Sequence, residues 1–457
     1  MFKLVKKGGQ GMAVYKKDAL EFIKSIDELF DTLAMGIEVK EPIKKYVMGP
    51  AIKELEDMII KTKAPTLYLI GRSGSGKSSL INAILSRSPY ETNSDNPEIG
   101  HVKPTTCESK RYFFQFRDDG KIIAEWNLID SRGLFESTPP EGCEHKSDKS
   151  VEETILEDLE EYSPDIVLHV IKAEDVRNHG KDFQTINEIF NEYGFNIPRI
   201  AVLSQVDKLN PPDQWPPEKY SEKAGNILNL IEYTAYEVLK FPKDKTIPVD
   251  PANSLSGLAL HKNAITDTTE KFNVYAGVIP TSAYKNREWN IDTLADFVGG
   301  HLTTETLLNY AQALKRQWLL KKIANDIVKR FAHIAGGIGA IPIPLSDIML
   351  LTPLQILLVG VIAGLSCRKV SQESIKELFS ATALVGGAAY GLRTIAQQLV
   401  KMIPIGGSVI SGAIAASGTY GIGKAAIAYF FDNLPKDKLS EEIDKYSKEW
   451  NENQKLD

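Results

Sequence analysis

The stretch Leu67-Tyr68-Leu69-Ile70-Gly71-Arg72-Ser73-Gly74-Ser75-Gly76-Lys77-Ser78-Ser79-Leu80-Ile81-Asn82-Ala83 decides the fold. Leu67–Ile70 is a short apolar run of the kind that makes a buried strand, and Pro65 marks the boundary before it. Leu80–Leu85 has helical character. Between them, Gly71–Ser78 fits G-x-x-x-x-G-K-[ST]. Glycines at those positions let backbone N–H groups turn inward around a phosphate, and the following helix directs its positive end at the same anion. Gly71, Ser73, Gly74, Ser75, Gly76, Lys77, Ser78 and Ser79 are therefore the candidate phosphate ligands. Lys77 reaches the β/γ oxygens and the Ser78 hydroxyl is a Mg²⁺ ligand. The loop implies a nucleoside triphosphate and says nothing of the base.

Outward from this loop the pattern alternates. Tyr112–Phe116 and Ile122–Ile129 read as strands joined through Asp119-Gly120, a hairpin signal. Ile166–Ile171, Ile200–Leu203 and Val274–Ile279 are further apolar strands, with helical stretches at 151–162, 180–193 and 220–240. Strand and helix in alternation predict an α/β fold with a mostly parallel sheet and one antiparallel hairpin. Two amphipathic helices, 17–34 and 50–62, precede it. From about 303 no strand pattern remains. Trp318, Leu319, Ile323, Ile327 and Phe331 share one face of a long amphipathic helix, so an all-α C-terminal domain is expected. The expected divisions are 1–64, an N-terminal helical segment; 65–300, the nucleotide-binding domain; 301–432, a hydrophobic helical domain; and 433–457, a polar tail.

Several loops after these strands carry chemistry. Asp130-Ser131-Arg132-Gly133 fits D-x-x-G: Asp130 is placed to hold Mg²⁺ through water and the Gly133 N–H to sense a γ-phosphate. In Pro104-Thr105-Thr106, Thr106 is favoured by its spacing to the next strand as a threonine that closes on Mg²⁺ and phosphate, with Thr105 the alternative. Ser204-Gln205-Val206-Asp207 resembles the [NT]-K-x-D motif of guanine-nucleotide-binding proteins. A carboxylate there accepts both N1–H and N2–H of guanine, a donor pair that adenine lacks. Ser204 and Gln205 depart from that pattern but keep a hydroxyl and a polar stem. Thr281-Ser282-Ala283 resembles S-A-K, in which a backbone N–H, here that of Ala283, contacts guanine O6; Tyr284 stands in the lysine position.

Five elements in this order resemble the translation-factor class of P-loop GTPases, and Gly76–Ala83 looks most like its Era-like and immunity-related, dynamin-like branches. The resemblance covers about 65–300. It implies GTP and GDP as ligands, Mg²⁺ as cofactor, and Lys77, Thr106 and Gly133 as catalytic groups. Leu134 follows the D-x-x-G glycine where small signalling GTPases place a water-orienting Gln, so intrinsic hydrolysis is expected to be slow and raised by self-association, a partner or a monovalent cation. Arg72, Arg132 and Glu136 are weaker candidates. Residues from about 303 to 432 resemble a bacterial domain of unknown function found behind GTPase domains, a likeness carried by Lys322–Asp347 and above all by Ala340-Ile341-Pro342-Ile343-Pro344-Leu345-Ser346-Asp347. Two other readings stay open: a ribosome- or RNA-associated Era-like GTPase, and a GTP-binding module without turnover. An ATPase would leave Asp207 without a purpose.

Composition sets the outer limits. The chain has 457 residues, 43% apolar and 25% charged, the average of a globular protein. Residues 1–300 carry a net charge of −10 and 301–457 a net charge of +4. The acidic balance of the first part argues against nucleic acid as a partner. Three cysteines, Cys107, Cys143 and Cys367, are too few for a disulfide framework, and no apolar core follows the basic start, so a reducing cytoplasmic setting is expected. The runs Ile348–Cys367 and Met402–Gly423 carry no charge and reach the length of about 20 residues that crosses a hydrocarbon core. Ser408, Gly412 and Ala416 recur every four residues, a spacing that suits close helix approach in lipid or in a soluble bundle. Membrane association of 303–432 and a soluble bundle are thus both open, as is a homodimer or a protein partner.

Overall fold

The computed structural model describes residues 37–92, 109–131, 150–261, 275–338, 347–366 and 412–454, with Leu20, Ile23, Lys24 and Glu28. The chain divides into two compact units, Lys63–Lys315 and a second made of Met1–Thr62 with Arg316–Asp457. Helices Ile37–Ile43 (α1) and Gly49–Lys61 (α2), joined through a π-helical turn at Lys44–Met48, belong to the second unit.

The first unit is built on one nine-stranded sheet. Its strands are Thr66–Ile70 (β1), Glu91–Thr92 (β2), Lys110–Asp118 (β3), Lys121–Asp130 (β4), Ile166–Lys172 (β5), Arg199–Ser204 (β6), Thr246–Asp250 (β7), Asn253–Leu260 (β8) and Tyr275–Pro280 (β9). They lie in the order β2-β3-β4-β1-β5-β6-β9-β8-β7. The centre, β4-β1-β5-β6-β9, is parallel. Both faces of it are covered, which is why β1, β6 and β9 are buried along their whole length and read as unbroken apolar runs. The β3–β4 hairpin turns at Asp119 and Gly120, both with positive φ, as the dipeptide predicts.

Helices Lys77–Leu85 (α3), Val151–Tyr162 (α4), Gly180–Glu192 (α5), Ser221–Glu232 (α6), Ile291–His301 (α7) and Thr304–Ala313 (α8) complete this unit. Ser150 and Glu153 close a capping box on α4, fixing the start of that acidic helix. Phe183, Ile186, Ile189 and Phe190 give α5 a buried stripe at helical spacing.

One expectation about the sheet needs correction. The segment after α6 continues through a π-helical turn at Tyr233–Val238 and then adds the β7–β8 hairpin antiparallel to β9, a second antiparallel margin that the sequence reading lacked. Pro248 and the Ser/Gly content of β8 mask its alternation, and an Asx turn closes the hairpin, Asp250 Oδ1 accepting from the N–H of Ala252 at 2.9 Å. The helix expected across Trp318–Phe331 is present within Gln317–Ile338, and a separate helix, α8, precedes it and ends before Lys315, at φ 50°. Helix α8 packs on β4: Trp126 and Tyr310 stack with centroids 4.7 Å apart, and Asn309 Oδ1 accepts from the N–H of Glu125 at 3.3 Å.

The second unit continues with Gln317–Ile338 (α9), Asp347–Leu365 (α10), Gly412–Asp432 (α11) and Leu439–Asn453 (α12). Leu319, Leu320, Ile323, Ile327 and Phe331 of α9 are buried, whereas Trp318 is 44% exposed and lies off that face. Leu354, Gln355, Ile356, Leu357, Leu358, Val359 and Ile362 are all buried, so α10 is enclosed on nearly every side. Small residues let α11 approach its neighbours closely. A Cβ on Gly412 would stand 2.4 Å from the carbonyl oxygen of Gly336, and one on Gly423 would stand 2.5 Å from Cγ2 of Val328. Ser408, the first residue of the expected small-residue series, lies outside the described residues. Among the described residues no helix is long and apolar enough to cross a membrane.

Candidate nucleotide-binding site

Those of the singled-out residues that the structure describes converge at the carboxyl ends of the parallel strands. Gly71 follows β1, Asp130 ends β4, Ser204 ends β6, and Ser282 follows β9. This is the edge at which open α/β sheets hold ligands.

Gly71 has φ 154°, and a Cβ there would meet the carbonyl oxygen of Val170 at 2.2 Å. Gly76, at φ 95°, is the residue from which α3 starts. A side chain at either position is strained, so the loop keeps its course only with glycine. Lys77 is 8% exposed, and its ammonium donates to the carbonyls of Gly71 at 2.9 Å and Arg72 at 3.3 Å. It therefore spans the loop it must serve.

Ser78 Oγ donates to Asp130 Oδ2 at 3.1 Å. Asp130 is 4% exposed, and its Oδ1 is buried without a hydrogen-bond partner. Burial raises the Asp130 carboxyl above the usual carboxylate range, against the Lys77 charge and the Ser78 hydrogen bond. A hard cation relieves that situation. One carboxylate and one hydroxyl, with the remaining positions left to water and phosphate, is the donor set that Mg²⁺ takes at such sites, and these residues fit it. Among the described residues no cluster of three or more His, Cys, Asp or Glu forms an all-protein metal cage.

The loop after β6 is tied to the phosphate loop. Ser204 Oγ donates to the carbonyl of Ser75 at 2.6 Å and to that of Ile171 at 3.1 Å. Gln205, at φ 58°, donates from Nε2 to the carbonyl of Gly74 at 2.9 Å. The two residues that depart from the usual motif thus both hold the phosphate loop. Asp207 is buried and accepts from the Ser282 hydroxyl at Oδ1, 2.9 Å away. Behind this pair, Ser282 and Trp289 exchange backbone hydrogen bonds, and Trp289 Nε1 donates to Glu218 at 2.6 Å. Ala283 follows Ser282, and Tyr284 is 64% exposed.

Arg72 forms a two-point pair with Asp182 of α5, Nε to Oδ2 at 2.8 Å and Nη2 to Oδ1 at 2.9 Å. A guanidinium engaged this way is anchored to the fold. A cavity of about 190 Å³ lies beside the loop and is lined in part by Arg72, Ser75 and His169. Ser73 borders it, while Ser79 lies in the first turn of α3. Thr105, Thr106, Arg132, Gly133, Leu134 and Glu136 lie outside the described residues. Sequence reasoning missed Asp182 and the buried Lys223 on α6, for which no motif exists; a charged residue on an otherwise buried helix face was the one signal.

Residues 66–205 match the family model described as 50S ribosome-binding GTPase. Immune-associated nucleotide-binding protein 9 of Arabidopsis thaliana is 38% identical over 71 residues, which is 16% of this chain and 18% of that relative. The chain therefore spans under a fifth of that relative's length. Among solved structures, a GTP-binding protein from Sulfolobus solfataricus in complex with GDP aligns at 20% identity over 61% of this chain and 66% of that chain, with a TM-score of 0.27. Toc33 from Arabidopsis thaliana in complex with Mg²⁺ and GMPPNP aligns at 16% identity over 63% and 96%, with a TM-score of 0.28. Residues 66–205 thus match a GTPase G-domain family, and the mostly parallel sheet around them is the α/β fold of such a domain.

Proposed function

We propose that this protein is a Mg²⁺-dependent GTP switch that turns over slowly, with its helical unit as the effector. The observation that carries the base assignment is Asp207. Its carboxylate is buried and steered by Ser282, on a loop stitched to the phosphate loop at Ser75 and Gly74. A fixed carboxylate at that end of the site suits the paired N–H donors of guanine.

In this reading the backbone of Gly71–Ser79 cradles the phosphates and Lys77 swings from the Gly71 carbonyl to the β/γ oxygens. Ser78 and Asp130 hold Mg²⁺, which supplies charge neutralisation on the phosphates. Thr106 and Gly133 are the residues assigned to the γ-phosphate by their motifs. Leu134 orients no water, so turnover is slow in the isolated chain and rises on self-association or with a partner. Arg72 serves to brace the loop against α5.

Asp207→Asn tests the base assignment. GTP affinity falls and xanthosine triphosphate is gained, because an amide pairs with xanthine's reversed edge. Unchanged GTP affinity removes the assignment.

A ribosome-associated role is the second reading, favoured by the description of the matching family model. Salt-dependent co-sedimentation with large ribosomal subunits decides it, and a net charge of −10 over 1–300 weighs against it. For 303–432 we propose surface contact with anionic lipid, tested by sedimentation of the whole chain with liposomes. Equal pelleting of a 63–315 fragment, the whole of the first unit, discards the lipid role.

A further inference from the structure

We propose that Lys223 is a positioning residue for base recognition: its ammonium fixes the backbone that carries Asp207, and so sets the preference for guanine. The inference rests on the reading of Asp207 given above and names the device that holds it.

Lys223 sits in the first turn of α6 and is 0% exposed. Its Nζ donates to the carbonyl of Asp207 at 2.9 Å, to that of Leu209, and to that of Pro211 at 3.4 Å. An ammonium has three N–H groups, and here each has a carbonyl. Among the described residues no carboxylate lies within ion-pairing distance of it. The Trp215 ring, 5.8 Å away, covers the charge. Burial draws the ammonium's proton affinity down, and the nearby Asp207 charge opposes that.

The arrangement answers a local need. After β6 the chain makes one 3-10 turn at Val206–Lys208 and then runs into Pro211-Pro212. Prolines have no N–H to offer, so the carbonyls of this stretch cannot be met by a regular ladder. One buried cation gathers three of them. Asp207 is thereby gripped twice, at its backbone carbonyl by Lys223 and at its carboxylate by Ser282. A two-point pair with guanine depends on the angle of that carboxylate, and the angle is inherited from the backbone beneath it.

A general loop staple and a base-positioning lysine predict different data. Inosine triphosphate lacks the 2-amino group, so the ratio of GTP to ITP affinity reads the second Asp207 hydrogen bond alone. Binding of both nucleotides to the full chain would be measured for wild type, Lys223→Met, Lys223→Gln and Lys223→Arg, each checked by circular dichroism and thermal melting. Wild type prefers GTP by about tenfold, the usual worth of a hydrogen bond to a charged group. Lys223→Met and Lys223→Gln reduce that ratio several-fold with little change in ITP affinity, and Lys223→Arg restores part of it. If Met does not fold, Gln, one bond shorter than Lys but with two N–H donors, carries the test. A wild-type ratio in a folded Gln or Met variant overturns the proposal, as does an equal loss of both nucleotides. A wild type that does not distinguish GTP from ITP overturns the Asp207 reading itself, and that result is recognisable without any variant.

Discussion

The Ser282 hydroxyl donates to Asp207 Oδ1 at 2.9 Å, across 75 residues of chain. Both groups are buried, on the loops after two adjacent parallel strands, β6 and β9. Removing the hydroxyl leaves that oxygen without its donor and the carboxylate free to turn. Ser282→Ala is expected to weaken GTP binding by about 1–2 kcal/mol, roughly 5- to 30-fold, with the fold intact. Titration with a fluorescent guanine nucleotide measures it, and a variant binding as tightly as wild type removes Ser282 from the site.

Asp130 carries a cost in stability, which the proposed Mg²⁺ role would explain. Its carboxyl titrates above the usual range in the folded chain because burial disfavours the anion. The folded state therefore holds a proton that the unfolded state has released, and stability is lost as pH rises from the unfolded value through the folded one. Asp130→Asn is expected to raise the melting temperature of the nucleotide-free chain at pH 7 while abolishing Mg²⁺-dependent nucleotide binding. Melting without Mg²⁺ and binding with it, on the same variant, test both halves.

His169 works in the opposite sense. Burial, with the His179 and Arg199 charges, holds its imidazole down at about 3, against a usual 6.5. Nδ1 meets the Tyr275 hydroxyl at 2.8 Å and Nε2 is buried without a hydrogen-bond partner. Between those two values the unfolded chain binds a proton that the folded chain refuses. The stabilisation is complete above the usual value and drains away as pH falls. The loss attributable to this site is about 3 kcal/mol between pH 7.5 and 4. Urea unfolding across that range should show a shallower pH dependence for His169→Gln, and an unchanged slope would assign the acid limb elsewhere.

Arg199 is fully buried, and none of its Nε, Nη1 and Nη2 atoms has a hydrogen-bond partner. It lies between the Phe190 ring at 4.4 Å and the Tyr275 ring at 5.2 Å, and burial pulls its guanidinium down to about 10. Ring contacts return about 2 kcal/mol, less than the desolvation of an unpaired cation. Arg199→Met should be neutral or stabilising by about 1–4 kcal/mol in urea unfolding. A marked loss of stability would contradict this balance.

The parallel centre of the sheet and the phosphate loop were legible because both depend on local chemistry. Buried strands must be apolar throughout, and the loop needs glycine at set positions. Gly71, Gly76 and Lys77 fall where the spacing placed them. The β7–β8 hairpin was hidden because margin strands tolerate Pro248 and small polar residues. Helix α8 was not singled out because its buried residues, Thr306, Asn309 and Tyr310 among them, are partly polar and blur the apolar period. Trp318 shows the same limit on a helix face, where the spacing that put it with Leu319 cannot tell a rim position from a core one. Lys223 and Asp182 were invisible for another reason: their roles come from partners 12 to 110 residues away.

Ser204 and Gln205 lend their side chains to the carbonyls of Ser75 and Gly74, so on the proposed reading the loop for the purine and the loop for the phosphates are one connected wall. A nucleotide would then be sensed as a single object rather than as two independent fragments. Free guanosine and inorganic triphosphate, offered together, would each meet a wall the other must also shape, and the covalent bond between base and phosphates becomes part of what is recognised.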